Sequence, residues 1–139
     1  MITVNNSDDV TVDLIRSLVQ AINEPSLITQ MRGPVNDWES LAIVLEFGDG
    51  YRSASGYAYP ADGTVSPVAC GWNSIHPAVH AYLETYYKPG DLLPVKILVQ
   101  FERATGRYAV TFEDTDEERW KTRPGNFREM REQLRPSFD

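Results

Sequence analysis

Cysteine is nearly missing from this sequence, where Cys70 is the single one in 139 residues. One thiol cannot close an internal disulfide and cannot alone hold a structural zinc, so the fold has to be held by packing. No stretch approaches the roughly 18 apolar residues that a membrane-spanning helix requires, and Met1 to Asp9 lacks the basic-then-apolar layout of a secretory signal. The expectation is a cytoplasmic protein with no membrane partner. Basic residues are outnumbered, 13 Lys and Arg against 20 Asp and Glu, for a formal charge of −7. Phosphate contacts need clustered Lys and Arg, so this balance argues against nucleic-acid binding. A basic protein partner would instead be attracted, mainly through faster encounter.

Hydrophobic residues are 42% and aromatics 11%, which supports one packed domain over 1–139 rather than disorder. Acidity is concentrated early: 12 acids and 5 bases precede Arg103, against 8 of each from Arg103 onward. Glu113, Asp114, Asp116, Glu117 and Glu118 form an acidic run, followed by Arg119, Lys121, Arg123, Arg128, Arg131 and Arg135. These two blocks are expected to neutralise each other in part.

Val10, Leu14, Ile15, Leu18, Val19 and Ile22 follow the spacing of one helical face and predict a helix over 9–23, with Asp8 and Asp9 at its positive end and Pro25 stopping it. After Arg32-Gly33-Pro34, Trp38 leads into Leu41, Ile43, Leu45 and Phe47, which alternate as a strand does. Gly48-Asp49-Gly50 reads as a tight hairpin turn into Tyr51–Tyr59. In that strand Tyr51, Ser53, Ser55, Tyr57 and Tyr59 share one face, and the small residues Ala54, Gly56 and Ala58 share the other, placed beneath a helix. Thr64–Cys70 reads as a third strand, which Pro67 marks as an edge or a bulge. A second helix is expected with Asn73 or Ser74 as cap, Pro77 in its first turn and Val79, Leu83 and Tyr86 facing inward; Lys88-Pro89-Gly90 ends it. Val95 to Phe101 and Tyr108 to Phe112 alternate around the Ala104-Thr105-Gly106 loop, and Phe127, Met130 and Leu134 form a last helical stripe after Pro124-Gly125-Asn126, closed by Pro136. The order α-β-β-β-α-β-β-α, dominated by hairpins, predicts an α+β fold: a mainly antiparallel five-stranded sheet with helices packed on one face.

His76, His80 and Glu84 recur every four residues, a spacing that places two imidazoles and a carboxylate on one helical surface and can bind zinc. The glutamate that follows the first histidine in helical metalloprotease sites is missing, and the plain reading is surface side chains, so neither a metal nor any other cofactor is assigned. Cys70 beside Gly71 and Trp72 lacks a nucleophile turn and reads as a small packing residue. The run from Glu113 to Glu118 lacks the glycine and ligand spacing of a calcium loop, which leaves a solvated turn or a recognition patch for a basic partner. The arginines after Trp120, with Glu132, can equally form a local ion-pair lattice. Tyr57 and Tyr59 beside serines, with Trp38 and Trp72 near strand ends, suit either a binding surface or the water-facing side of a sheet. With no phosphate loop and no serine–histidine–acid arrangement, the residues point away from an enzyme.

Asp37-Trp38-Glu39, the hairpin Leu45-Glu46-Phe47-Gly48-Asp49-Gly50-Tyr51, a middle helix, and Gly106-Arg107-Tyr108 followed by an acidic run and Trp120 together resemble the YezG-like family of bacterial immunity proteins. The resemblance implies an α+β domain that binds and neutralises a cognate toxin, often a nuclease. On this reading the partner is a basic toxin domain, met by Glu113, Asp114, Asp116, Glu117 and Glu118, with Tyr57, Tyr59 or Trp72 as aromatic anchors. The long stretch from Tyr59 to Gly71 and the basic last helix depart from the family pattern. Two other classes fit the residues: a small-molecule-binding domain using the sheet face, and a structural or adaptor subunit that pairs as a homodimer.

Overall fold

The structure is a computed structural model that describes residues 3–4, 9–23, 37–48, 51–61, 65–121 and 123–137. The elements are β1 (Thr3–Val4), α1 (Asp9–Ala21), β2 (Trp38–Gly48), β3 (Tyr51–Pro60), β4 (Ser66–Ala69), α2 (Trp72–Tyr86), β5 (Lys96–Glu102), β6 (Tyr108–Glu113) and α3 (Phe127–Leu134). The expected α+β class and the order α-β-β-β-α-β-β-α are present, preceded by the two-residue β1. The sheet runs β1-β6-β5-β2-β3-β4, with antiparallel pairing throughout. Pro25, Arg32-Gly33-Pro34, the Asp49-Gly50 turn and Asp62 to Thr64 lie outside the described residues.

β2 is the central strand, and Leu41 to Leu45 are all buried. Leu41, Ile43 and Leu45 point to one face and Ala42 and Val44 to the other, so both sides need a cover. On the first face α1 supplies Leu14, Ile15, Leu18, Ala21 and Ile22, and α2 supplies Ile75, Val79 and Tyr82. Ala54 and Ala58 are buried in this layer, where small side chains admit the helices. At the start of β2 the pairing steps from Trp38↔Pro60 to Ser40↔Tyr59. Glu39 is therefore an extra, bulged residue, and the bulge lets Trp38 and Leu41 face the same core although they are three positions apart.

The third helix departs from the one-face expectation. α3 lies on the opposite face, where Met130 and Leu134 pack with Trp120 on Ala42, Val44, Tyr57, Tyr59 and Leu98. Two cross-links fasten it to the sheet: the Tyr59 hydroxyl donates to the Arg131 carbonyl at 2.6 Å, and Gln100 Nε2 donates to the Leu134 carbonyl at 2.8 Å. Trp120 has a φ of 62°, a left-handed backbone that costs an L residue about 1–2 kcal/mol. Its burial and the bond from Lys96 Nζ to the neighbouring Arg119 carbonyl, 2.6 Å, hold that turn in place.

α2 also starts earlier than the side-chain signals suggest. Gly71 is its N-cap and makes no side-chain cap bond, so Asn73 and Ser74 lie inside the helix and Pro77 falls beyond its first turn. β4 spans Ser66–Ala69 and is an edge strand, as Pro67 implies. Cys70 N–H donates to the Ala54 carbonyl at 2.9 Å, and the register Gly56↔Val68 continues that alternation. Pro67 therefore presents its missing N–H to the open side, where β3 loses nothing.

Candidate functional site

The residues singled out for partner binding divide between two places. Tyr57 and Tyr59 are buried under α3, which corrects their reading as surface anchors. Burial pushes the Tyr59 hydroxyl above its ordinary range, partly opposed by Arg135, whose guanidinium lies 4.7 Å over the ring. Trp72 is half-buried and meets Phe47 edge-on at 5.7 Å. Trp38 is a core residue, edge-on to Phe101 and covered by the Arg103 guanidinium at 3.6 Å.

The acidic run lies beyond the end of β6, and the basic residues after it neutralise part of it. Glu113 Oε1 accepts from Arg119 at 2.8 Å, while its Oε2 accepts the backbone N–H groups of Thr115 at 3.2 Å and Asp116 at 3.1 Å. Those bonds, the Arg119 one foremost, hold the Glu113 carboxyl down at about 2. Glu118 accepts from Arg123 at 2.6 Å and pairs with Lys121 at 3.5 Å, which also keeps it below the usual carboxylate range. Asp116 accepts from the Glu118 N–H at 3.0 Å. Glu113, Asp116 and Glu118 thus shape the turn. Asp114 and Glu117 are exposed and make no ion pair or hydrogen bond among the described residues.

A second loop adjoins this turn. Asp91 N–H donates to the Lys88 carbonyl at 3.0 Å across Pro89-Gly90, and Gly90 has a φ of 93°, the left-handed value that the third residue of a type II turn demands. Asp91 Oδ2 accepts the Lys88 N–H at 2.8 Å. Downstream, Val95 N–H donates to the Glu113 carbonyl at 2.8 Å and the Val95 carbonyl accepts from Phe47 N–H at 2.9 Å. The loop is pinned at both ends, and between them Leu92 is 93% and Leu93 48% exposed. Tyr87 joins the two acidic segments: its hydroxyl is raised first by burial and then by the carboxylates of Asp114 and Asp91. One end of the sheet therefore presents two carboxylates around a tyrosine, with bare leucines beside them. Leu92 and Leu93 were missed in the sequence because their only signal is two leucines in a turn with no periodic partner.

The histidine pair stands on the exposed side of α2. His80 Nε2 lies 2.7 Å from Glu84 Oε1, and the His76 and His80 ring centroids are 5.8 Å apart. Among the described residues no group of three metal-ligating side chains converges. Cys70 is buried, with Sγ 3.7 Å from the Leu18 carbonyl, so it packs β4 against α1. Of the arginine lattice, Arg135 forms a two-bond pair with Glu132, at 3.1 and 2.9 Å. Among the described residues no helix is long and apolar enough to cross a membrane. A hollow of about 650 Å³ runs between α1 and the β5–β6 hairpin, but its charged rim is compensated, Arg16 by Asp13 at 3.6 Å and Arg103 by the Trp38 ring. No known protein family, curated protein or solved structure matches this chain.

Proposed function

We propose that this chain is an immunity-type binding protein whose acidic end docks on a basic protein partner. The resemblance to YezG-like immunity proteins makes that partner a toxin domain, and a nuclease is the class whose phosphate-binding surface carries the required positive charge. The observation that carries the reading is the exposed Leu92–Leu93 pair that follows Asp91, at the end of the sheet where Asp91 and Asp114 both act on Tyr87. Exposed apolar side chains gain from burial in an interface, and an interface with an apolar centre and a charged rim is the usual arrangement of specific complexes. The net charge of −7 adds long-range attraction for a basic surface. Because Glu113 and Glu118 are ion-paired within the turn, the carboxylates left for a partner without an ion pair among the described residues are those of Asp91, Asp114, Asp116 and Glu117.

The test is to read the genes beside this one for a toxin domain and co-express it with this chain, followed by association kinetics of the purified pair; a neighbourhood without such a domain counts against the reading. Protection of the host is expected. The double substitution Asp114→Lys and Glu117→Lys should slow association about tenfold at low salt, with the difference shrinking as salt rises. Stability should change by less than about 0.5 kcal/mol, since both side chains are solvated. Failure to protect, or an association rate indifferent to both substitutions, overturns the reading.

A further inference from the structure

The α3 face of the sheet is only partly covered. Between Trp120, Lys121 and Leu134 on one side and β3–β4 on the other lies a half-open groove of about 480 Å³. The register builds its floor: Lys96, Glu46 and Ser53 stand side by side across three strands, and Leu98, Val44, Ser55 and Ala69 form the next row. Val44, Pro67 and Leu134 supply apolar wall, and Tyr57 and Trp120 add aromatic edges.

Glu46 gives the groove its chemistry. Its side chain is 27% exposed, and Lys96, the cation beneath it, is 3.7 Å away, too far for a short charge-assisted bond. Lys96 spends its 2.6 Å bond on the Arg119 carbonyl instead. Among the described residues no other group bonds the Glu46 carboxylate. Lys121, at the mouth, is drawn to Glu118 at 3.5 Å. A partly exposed carboxylate that keeps acceptor capacity beyond its long ion pair with Lys96, two serine side chains and an apolar, aromatic wall complement an ammonium group on an apolar body, and the negative field of the chain concentrates cations.

We infer that the groove bounded by Glu46, Ser53, Ser55 and Trp120 is a binding site for a small organic amine in its ammonium form. The ammonium donates to Glu46 and the serine hydroxyls, and the apolar body lies against Val44, Pro67 and Trp120. This site is separate from the proposed docking end and does not depend on it.

The probes are 2-phenylethylamine, its neutral analogue 2-phenylethanol and its anionic analogue phenylacetate, titrated into the isotopically labelled protein while backbone amide resonances are followed. The amine is expected to give saturable shifts at Ser53, Ser55 and Ala69, and to bind about tenfold or more tightly than the alcohol, the factor that one hydrogen bond to a charged group supplies. Glu46→Gln should bring the amine down to the affinity of the alcohol. Ser55→Phe, which fills the groove from its exposed rim and leaves Glu46 and Lys96 in place, should abolish the shifts and tests the site even if Glu46→Gln fails to fold. Equal affinity for amine and alcohol overturns the inference. So do shifts confined to the acidic turn, or amine binding that survives Ser55→Phe.

Discussion

Gly56 occupies a point of the β2–β3 ladder where a side chain has nowhere to go. A Cβ built there would stand 1.8 Å from the Ala42 carbonyl oxygen, 2.8 Å from the Ala42 carbonyl carbon and 2.9 Å from Ile43 Cα, all main-chain atoms of the central strand. No rotamer change relieves a clash with backbone, so Gly56→Ala must push β3 away from β2. Overpacking of this kind costs about 1–3 kcal/mol, and each ladder hydrogen bond lost beside it about 0.5–1.5 kcal/mol more. The sum is about 3 kcal/mol or more, a large share of the roughly 5–15 kcal/mol that holds a domain folded. For a chain of this size the unfolding midpoint should fall by about 10 °C. Circular dichroism during heating and in a urea series measures both quantities. Ser55→Ala, on the same strand but with an exposed side chain, is the control and should shift stability by less than about 0.5 kcal/mol. A Gly56→Ala protein within about 1 kcal/mol of the parent would refute the close approach of the two backbones.

Tyr59→Phe removes the hydroxyl that donates to the Arg131 carbonyl at 2.6 Å, and should cost about 1 kcal/mol in urea unfolding; no loss would mean that α3 is held by packing and the Gln100 bond without it. The Glu113 carboxyl is lowered from 4.5 to about 2 in the fold, so its ionised form stabilises the native state above about pH 4.5, and that contribution is lost as pH falls toward 2. Glu113→Gln should therefore flatten part of the decline in stability over that interval, and parallel pH curves for parent and variant would show that the Arg119 and backbone bonds carry no stability.

The sheet was legible where large apolar residues recur at every second position of a strand. The alternation of Val95 to Phe101 and of Tyr108 to Phe112, together with the glycine-containing hairpin loop between them, states the β5–β6 pair outright. The placement of α3 was not legible from its own stripe, which fixes the side of the helix that is buried but not the face of the sheet that receives it. The clue lay elsewhere: Leu41 to Leu45 is an unbroken apolar run, the mark of a strand covered on both faces. Tyr57 and Tyr59 misled because a tyrosine row suits water as well as it suits a covering helix, and the cover arrives some seventy residues later, when Arg131 accepts from Tyr59. The left-handed backbone at Trp120 had no sequence signal, since glycine is the residue that marks such positions. At the candidate docking site the acidic turn was evident and so was its partial neutralisation. The adjoining leucines became visible only once the type II turn and the Val95 bonds put them beside Asp114.

Pro67 on the open border of β4 has a consequence for how recognition can evolve. An incoming strand would need a hydrogen-bond donor where proline offers none, so the backbone template on that flank is interrupted in a strand of only four residues. On the proposed docking, affinity is then written in side chains such as Leu92 and Asp114, which sit on loops outside the core and can be exchanged one at a time. A chain that docks as proposed would change partner by point substitution, while the ladder that folds it stays as it is.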